Sequence, residues 1–188
     1  MTPGLQLGPG LTLPIEAVTQ TFAIVAMRGA GKTYLAKVLV ESMLAASLRV
    51  CVLDPLGVFW GLRSSADGRH PGEPVVIFGG DHADVPLEHT AGELLADLVV
   101  DEQLAAVLDL SAMSKKEGRI FVATFAERLY RRNRSALHLV LDEADTYVPQ
   151  RSAPDTARCA AAIDDIARRG RVRGLGLTMT TRVCCTDR

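Results

Sequence analysis

The chain has 188 residues, 21 Lys and Arg against 22 Asp and Glu, and 48% hydrophobic side chains, which fits one domain with enough apolar matter for a real core. No run approaches the roughly 18 apolar residues of a membrane span, and no basic-then-apolar leader opens the chain, so a cytoplasmic protein with no membrane partner is expected. The net charge of -1 conceals segregation: eight acids and no bases lie between Asp81 and Asp109, and four arginines and no acid between Arg168 and Arg173, which predicts one acidic and one basic surface.

Residues 1–20 are rich in Gly, Pro and Leu, with weak alternation over Leu11-Thr12-Leu13-Pro14-Ile15. They read as a loose arm with at most one edge strand, because proline confines a strand to an edge. The apolar run Thr21-Phe22-Ala23-Ile24-Val25 then feeds Ala26-Met27-Arg28-Gly29-Ala30-Gly31-Lys32-Thr33, and a helical pattern extends from Tyr34 to about Ser47 with Leu35, Val38, Leu39 and Met43 on one face. A strand entering a glycine-rich turn that opens a helix presents backbone N–H groups and the positive helix end to a phosphate chain. Residues Arg28, Gly29, Ala30, Gly31, Lys32, Thr33 and Tyr34 are therefore the expected ATP contacts. Lys32 would reach the β- and γ-phosphates and Thr33 would hold Mg²⁺. The first glycine of G-x-x-x-x-G-K-[ST] is Ala26 here, so a slightly altered loop is expected.

Arg49–Leu53 reads as a buried strand stopped by Asp54-Pro55, followed by a long loop from Leu56 to Pro74. Val75–Phe78 is another strand, closed by Gly79-Gly80. Thr90 with Glu93 reads as a capping box opening a helix to about Val100, and Leu104–Leu108 as a strand ending at Asp109. Ser114 with Glu117 repeats the box before a helix whose buried stripe is Val122, Phe125, Ala126 and Leu129. Its basic end (Arg128, Arg131, Arg132, Arg134) reads as charges complementing the helix dipole. Leu137–Leu141 is a strand delivering Asp142-Glu143, Asp155–Arg169 a helix closed by Gly170, and Gly176–Thr180 the last strand. Strands without a polar alternate face, alternating with helices, mean an α/β fold with a parallel sheet covered on both sides. Of the four cysteines, Cys51 and Cys159 lie singly in elements and Cys184-Cys185 are adjacent, a pattern that indicates neither zinc nor a disulfide frame. The four histidines share no ligand spacing.

Ligands of open parallel sheets bind beyond the carboxyl ends of the strands. Asp142 is thus placed to bind the Mg²⁺ held by Thr33, and Glu143 to polarise an attacking water. Acids in a first helical turn would also satisfy the dipole, but the phosphate loop favours the functional reading. Asp54 and Asp109 also end strands, as further cleft residues or as turn residues.

With these motifs in view, the chain resembles the HerA/FtsK group of P-loop ATPases, specifically the HerA-like central ATPase domain, over about residues 20–182. The resemblance rests on Leu53-Asp54-Pro55-Leu56-Gly57, on Leu139-Val140-Leu141-Asp142-Glu143-Ala144-Asp145 with Tyr147-Val148-Pro149-Gln150-Arg151, and on Ile166-Ala167-Arg168-Arg169-Gly170-Arg171 leading to Gly174-Leu175-Gly176-Leu177. It implies a three-layer RecA-like core at 21–182 between an arm at 1–20 and a tail at 183–188. It also implies a homo-oligomeric, usually hexameric, motor that moves duplex DNA by ATP hydrolysis, with a nuclease or other protein as possible partner. By the same resemblance Lys32 and Glu143 are catalytic, and Thr33 and Asp142 hold the metal. The family's γ-phosphate-sensing glutamine is missing. Thr180-Thr181-Arg182-Val183 stands there instead, so Thr181, with Arg182 beside it, is expected in the sensor's place. The sequence stops at Arg188, before the further strand and helix of the family, and is expected to be C-terminally truncated. Arg168, Arg169, Arg171 and Arg173 are either helix-end charges or contacts to DNA phosphates or a neighbour's nucleotide. Three rival readings compete with it: an Asp-Glu-Ala-Asp-type helicase (Asp142–Asp145), which needs two such domains; a hydrolysis-poor nucleotide-dependent switch or assembly scaffold; and a small-molecule kinase.

Overall fold

The computed structural model describes residues 4–65, 68–149 and 153–182. Gln150-Arg151 of the family motif, Val183, Cys184-Cys185 and the whole expected tail lie outside the described residues. Six strands form one sheet in the order β3 (Thr21–Ala26), β8 (Leu175–Arg182), β7 (Leu137–Leu141), β4 (Val50–Asp54), β6 (Ala106–Asp109), β5 (Val76–Phe78). Every pairing in it is parallel. Both faces of the sheet are covered, the α/β architecture expected of strands that are apolar at every position. On one face Val52, Val140, Val107 and Ile77 pack with Ala36, Leu39, Val40 and Met43 of α1 (Lys32–Ala45). On the other, Leu53, Leu139, Leu141 and Leu177 pack under α2 (Gly92–Asp101), α3 (Lys115–Arg132) and α4 (Pro154–Arg169).

The N-terminal segment departs from the expected loose arm. β1 (Gly4–Gly8) and β2 (Leu11–Pro14) form an antiparallel hairpin, followed by a 3-10 turn over Ile15–Thr19. Leu5, Ala17 and Val18 are buried, so this segment closes the α1 face of the core instead of hanging free. Its glycines and prolines disguised the alternation that marks a strand. In α1 the buried stripe runs through Ala36, Leu39, Val40 and Met43, while Leu35 and Val38 are only half-covered. The helix begins at Lys32 and turns that side chain inward.

The second expected capping box is present in full: the Glu117 amide donates to Ser114 Oγ and the Ser114 amide to Glu117 Oε2. The first is not, because α2 starts at Gly92 with Ala91 as its cap and no side-chain cap. Gly92 lies so close to α3 that an added Cβ would sit 2.1 Å from Thr124 Oγ1, so helix packing fixes this start, not Thr90. Part of the acidic stretch from Asp81 to Asp109 is neutralised by a neighbouring helix. Arg128 makes two 2.8 Å bonds to Asp97, and Arg132 reaches Asp101 at 2.7 Å, so the basic end of α3 neutralises the acids of α2 beside it. No described helix is long and apolar enough to cross a membrane.

Candidate nucleotide site

The strand order puts the ends of β3, β8 and β7 side by side, and each carries part of the site. Ala26 is the last residue of β3, paired with Arg182, and it keeps the extended backbone of the strand. A glycine there would gain nothing, so the substitution that predicted an altered loop leaves the turn intact. The positive φ values fall on Gly29 and Gly31, at 77° and 86°, where side chains would be strained. Gly31 is the N-cap of α1 and no side chain caps that end, which leaves the first helical amides directed at the loop mouth. Lys32 is buried, with Nζ donating 3.3 Å to the Met27 carbonyl across the loop.

Asp142 follows β7 and is fully buried. Its carboxylate accepts from Thr33 Oγ1 at 3.2 and 3.4 Å and from Thr180 Oγ1. The contact between Thr33 and Asp142 joins the phosphate loop to the acidic strand end across 109 residues of sequence. A hydroxyl and one carboxylate brought together beside a phosphate cradle suit Mg²⁺, which takes one or two carboxylates and fills its other positions with water and phosphate oxygens. Among the described residues no cluster of three or more His, Cys, Asp or Glu forms an all-protein metal cage. Glu143 adopts the left-handed conformation, φ 46° and ψ 50°, and its amide donates 3.0 Å to Thr180 Oγ1. Non-glycine residues hold that conformation at a cost of about 1–2 kcal/mol. Here the Thr180 bond fixes the turn that aims Glu143 into the cleft. Its carboxylate is ion-paired with Arg182, at 2.8 Å from Nη2 and 3.0 Å from Nε. Arg28, Gly29, Gly31, Lys32, Thr33, Tyr34, Leu56, Glu143 and Arg182 line one cleft of about 480 Å³.

Thr180 is the residue that sequence reading missed. On β8 the even positions Thr178, Thr180 and Arg182 face the α1 side, while Leu177, Met179 and Thr181 alternate to the other face. Thr181 therefore points away from Asp142, and Thr180 provides the hydroxyl there. The alternation of Leu175, Leu177 and Met179 carried this signal. The other strand-end acids are turn residues. Asp54 accepts from the amides of Leu56, Val58 and Phe59 at 3.1, 2.6 and 2.7 Å, and burial pushes its carboxyl upward against those bonds. Asp109 accepts from the Ser111 amide at 2.9 Å. An added Cβ on Gly80 would sit 2.0 Å from the Asp109 carboxylate, so glycine there makes room for the acid.

The arginines at 168–173 are at the opposite end of the sheet. They lead into Leu175, seven residues before Arg182 along β8, roughly 23 Å at strand rise. Arg168 and Arg169 pair with Asp164 and Asp165 one turn back, and the Arg173 guanidinium lies 5.5 Å from the Tyr130 ring. Cys51 and Cys159 are buried free thiols, the second pushed up to about 12 by burial.

Residues 9–89, the phosphate loop included, match the family of the helicase HerA central domain. Over that stretch, which is less than half of its length, the chain is similar to the HerA central domain. The HerA-type match ends before Asp142 and Glu143, which rest on the geometry above. No curated protein matches the chain. Among solved structures, it is similar to the genome packaging NTPase B204 from Sulfolobus turreted icosahedral virus 2 in complex with sulfate. The identity is 18% and the TM-score 0.49, over 87% of this chain and 65% of that one. The same NTPase in complex with ATP-gammaS gives 19% and 0.43, over 88% and 66%. The pCW3 conjugation coupling protein TcpA with ATPgS gives 13% and 0.45, over 96% and 47%. The chain thus spans just under two thirds of the packaging NTPase and about half of the coupling protein.

Proposed function

We propose that this chain is the ATP-binding and ATP-hydrolysing core of a DNA-translocating motor of the HerA/FtsK type. The observation that carries the reading is the Thr33–Asp142 contact, which unites a helix N-terminus open to phosphate with a buried carboxylate. In this reading the loop from Arg28 to Tyr34 binds the triphosphate, with Lys32 leaving the Met27 carbonyl for the β- and γ-phosphates. Thr33 and Asp142 hold Mg²⁺, which neutralises charge on the phosphate oxygens when bound. Glu143 orients and polarises the attacking water. Thr180 holds both acids in register, a role we assign to it in place of Thr181. DNA is the proposed partner, a homohexameric ring the proposed assembly, and a nuclease or other protein a further partner. Arg168, Arg169, Arg171 and Arg173, at the opposite end of the sheet, are assigned to DNA phosphates or a neighbour's nucleotide.

The Arg182–Glu143 pair favours one second reading: a switch that binds ATP and hydrolyses it slowly, because the proposed base is already engaged. Nucleotide binding and turnover, measured on the same preparations, separate the two. Lys32→Ala is expected to lose ATP binding, and Glu143→Gln to keep binding while losing turnover. Turnover at the wild-type rate in the Gln variant would refute the assignment of the base.

A further inference from the structure

Arg182 and Glu143 hold each other inside the cleft that the phosphate loop forms. The guanidinium is 46% exposed and the carboxylate 13%, so the arginine is the partner with room to leave. The pair also borders a second cleft of about 180 Å³ between Leu56, Met113, Lys115 and Tyr147, so it stands as a partition between two open spaces and not within packed side chains. Arg182 closes β8 opposite Ala26, where the chain enters the phosphate loop, which fixes its backbone beside the place where a terminal phosphate would sit. A guanidinium binds a phosphate through the same fork of N–H groups that it offers a carboxylate, and a terminal phosphate carries more charge than one glutamate.

We infer that Arg182 is a γ-phosphate-responsive latch: it holds Glu143 when the site lacks a γ-phosphate and transfers to the γ-phosphate when ATP binds, releasing the carboxylate for its water. The inference rests on the proposed ATP site and adds its regulation. No bond is made or broken in the transfer; one ion pair is exchanged for another. The latch distinguishes ATP from ADP, since only the triphosphate draws the arginine away, and it links release of the base to the presence of the bond to be cleaved.

The test is a double-variant cycle read by calorimetric titration, with Mg²⁺, of ADP and of a non-hydrolysable ATP analogue carrying an imido bridge. Arg182→Ala is expected to weaken the analogue roughly tenfold through loss of a charged contact and to leave ADP unchanged. The unchanged ADP affinity also reports an intact fold. Glu143→Gln, which removes the ion pair to be exchanged, is expected to tighten the analogue about threefold, the scale of a part-exposed ion pair. In Arg182→Ala that gain should vanish. A gain that persists there reflects only lost repulsion between Glu143 and the phosphate, and overturns the latch. Equal affinity changes for both nucleotides in Arg182→Ala, or none, overturn it while leaving the site standing. A wild-type chain that binds neither nucleotide removes the site and the latch together.

Discussion

Three parallel strands, β4, β6 and β7, deliver an aspartate to the same edge of the sheet, yet the three carboxylates do different work. Asp54 satisfies three backbone amides of the loop that follows it, and Asp109 one amide beneath Gly57 and Gly80. Among the described residues, Asp142 accepts only from side-chain hydroxyls, Thr33 and Thr180. Amides bound to a carboxylate are part of a fixed turn, and losing their acceptor strands buried donors. Hydroxyls can turn their protons elsewhere and offer lone pairs to a metal. The difference separates an acid that builds the cleft from one that, in the proposed function, serves it.

The sharpest way to break this comparison is to remove each acid. Asp142→Asn is expected to lower ATP turnover about a thousandfold, the scale of removing a preorganised charge-stabilising group, with little effect on thermal stability. Turnover near the wild-type rate would return Asp142 to the class of turn residues. Asp54→Ala should act the other way, costing about 3 kcal/mol in denaturant unfolding as three amides lose their acceptor. Its folded fraction should still bind ATP, and an unfolding midpoint equal to wild type would erase the distinction.

The pH dependence of stability sharpens the account of the same strand pair from within. His138 on β7 is buried, with Nδ1 donating to the Val18 carbonyl at 2.9 Å and Nε2 accepting from Thr178 Oγ1 at 2.7 Å. Burial lowers its pKa to about 4, from an ordinary 6.5. The unfolded chain binds that proton more readily, so the stabilisation is complete above pH 6.5 and is lost as pH falls from there through about 4. The whole loss amounts to roughly 3 kcal/mol. Urea unfolding between pH 7 and 4 should record it in the wild type and not in His138→Gln; identical profiles would contradict the assignment. Smallest is the effect of hydroxyl parity on β8. Thr180→Val should lower turnover about tenfold, one hydrogen bond's worth, and Thr181→Val should change it by less than about twofold. The reverse order would restore Thr181 to the sensor position.

Most of the sheet was legible because its strands are apolar at nearly every position and end at Asp or at Gly pairs. The turn between β3 and α1 was legible because its glycines, lysine and threonine sit at fixed offsets between a strand and a helix. Three features needed three dimensions. Glycine and proline hid the N-terminal hairpin, whose Leu5 nonetheless completes the core. The arginines that close α3 read only as complements of its dipole because sequence does not reveal that they face the acids of α2. Thr181 was preferred to Thr180 by its place next to Arg182, although strand alternation assigned the even positions to the face that carries Asp142. The ion pair between Arg182 and Glu143 had no sequence signal at all, since it joins the ends of two strands through a register set by the whole sheet.

The most direct measurement is steady-state ATP hydrolysis by the wild-type chain with and without duplex DNA, beside Glu143→Gln, at a mass determined in the same buffer. Turnover that duplex DNA raises, and that the Gln variant lacks although it still binds ATP, is the expected result. Bound ATP that stays intact in the wild type with or without DNA would contradict it.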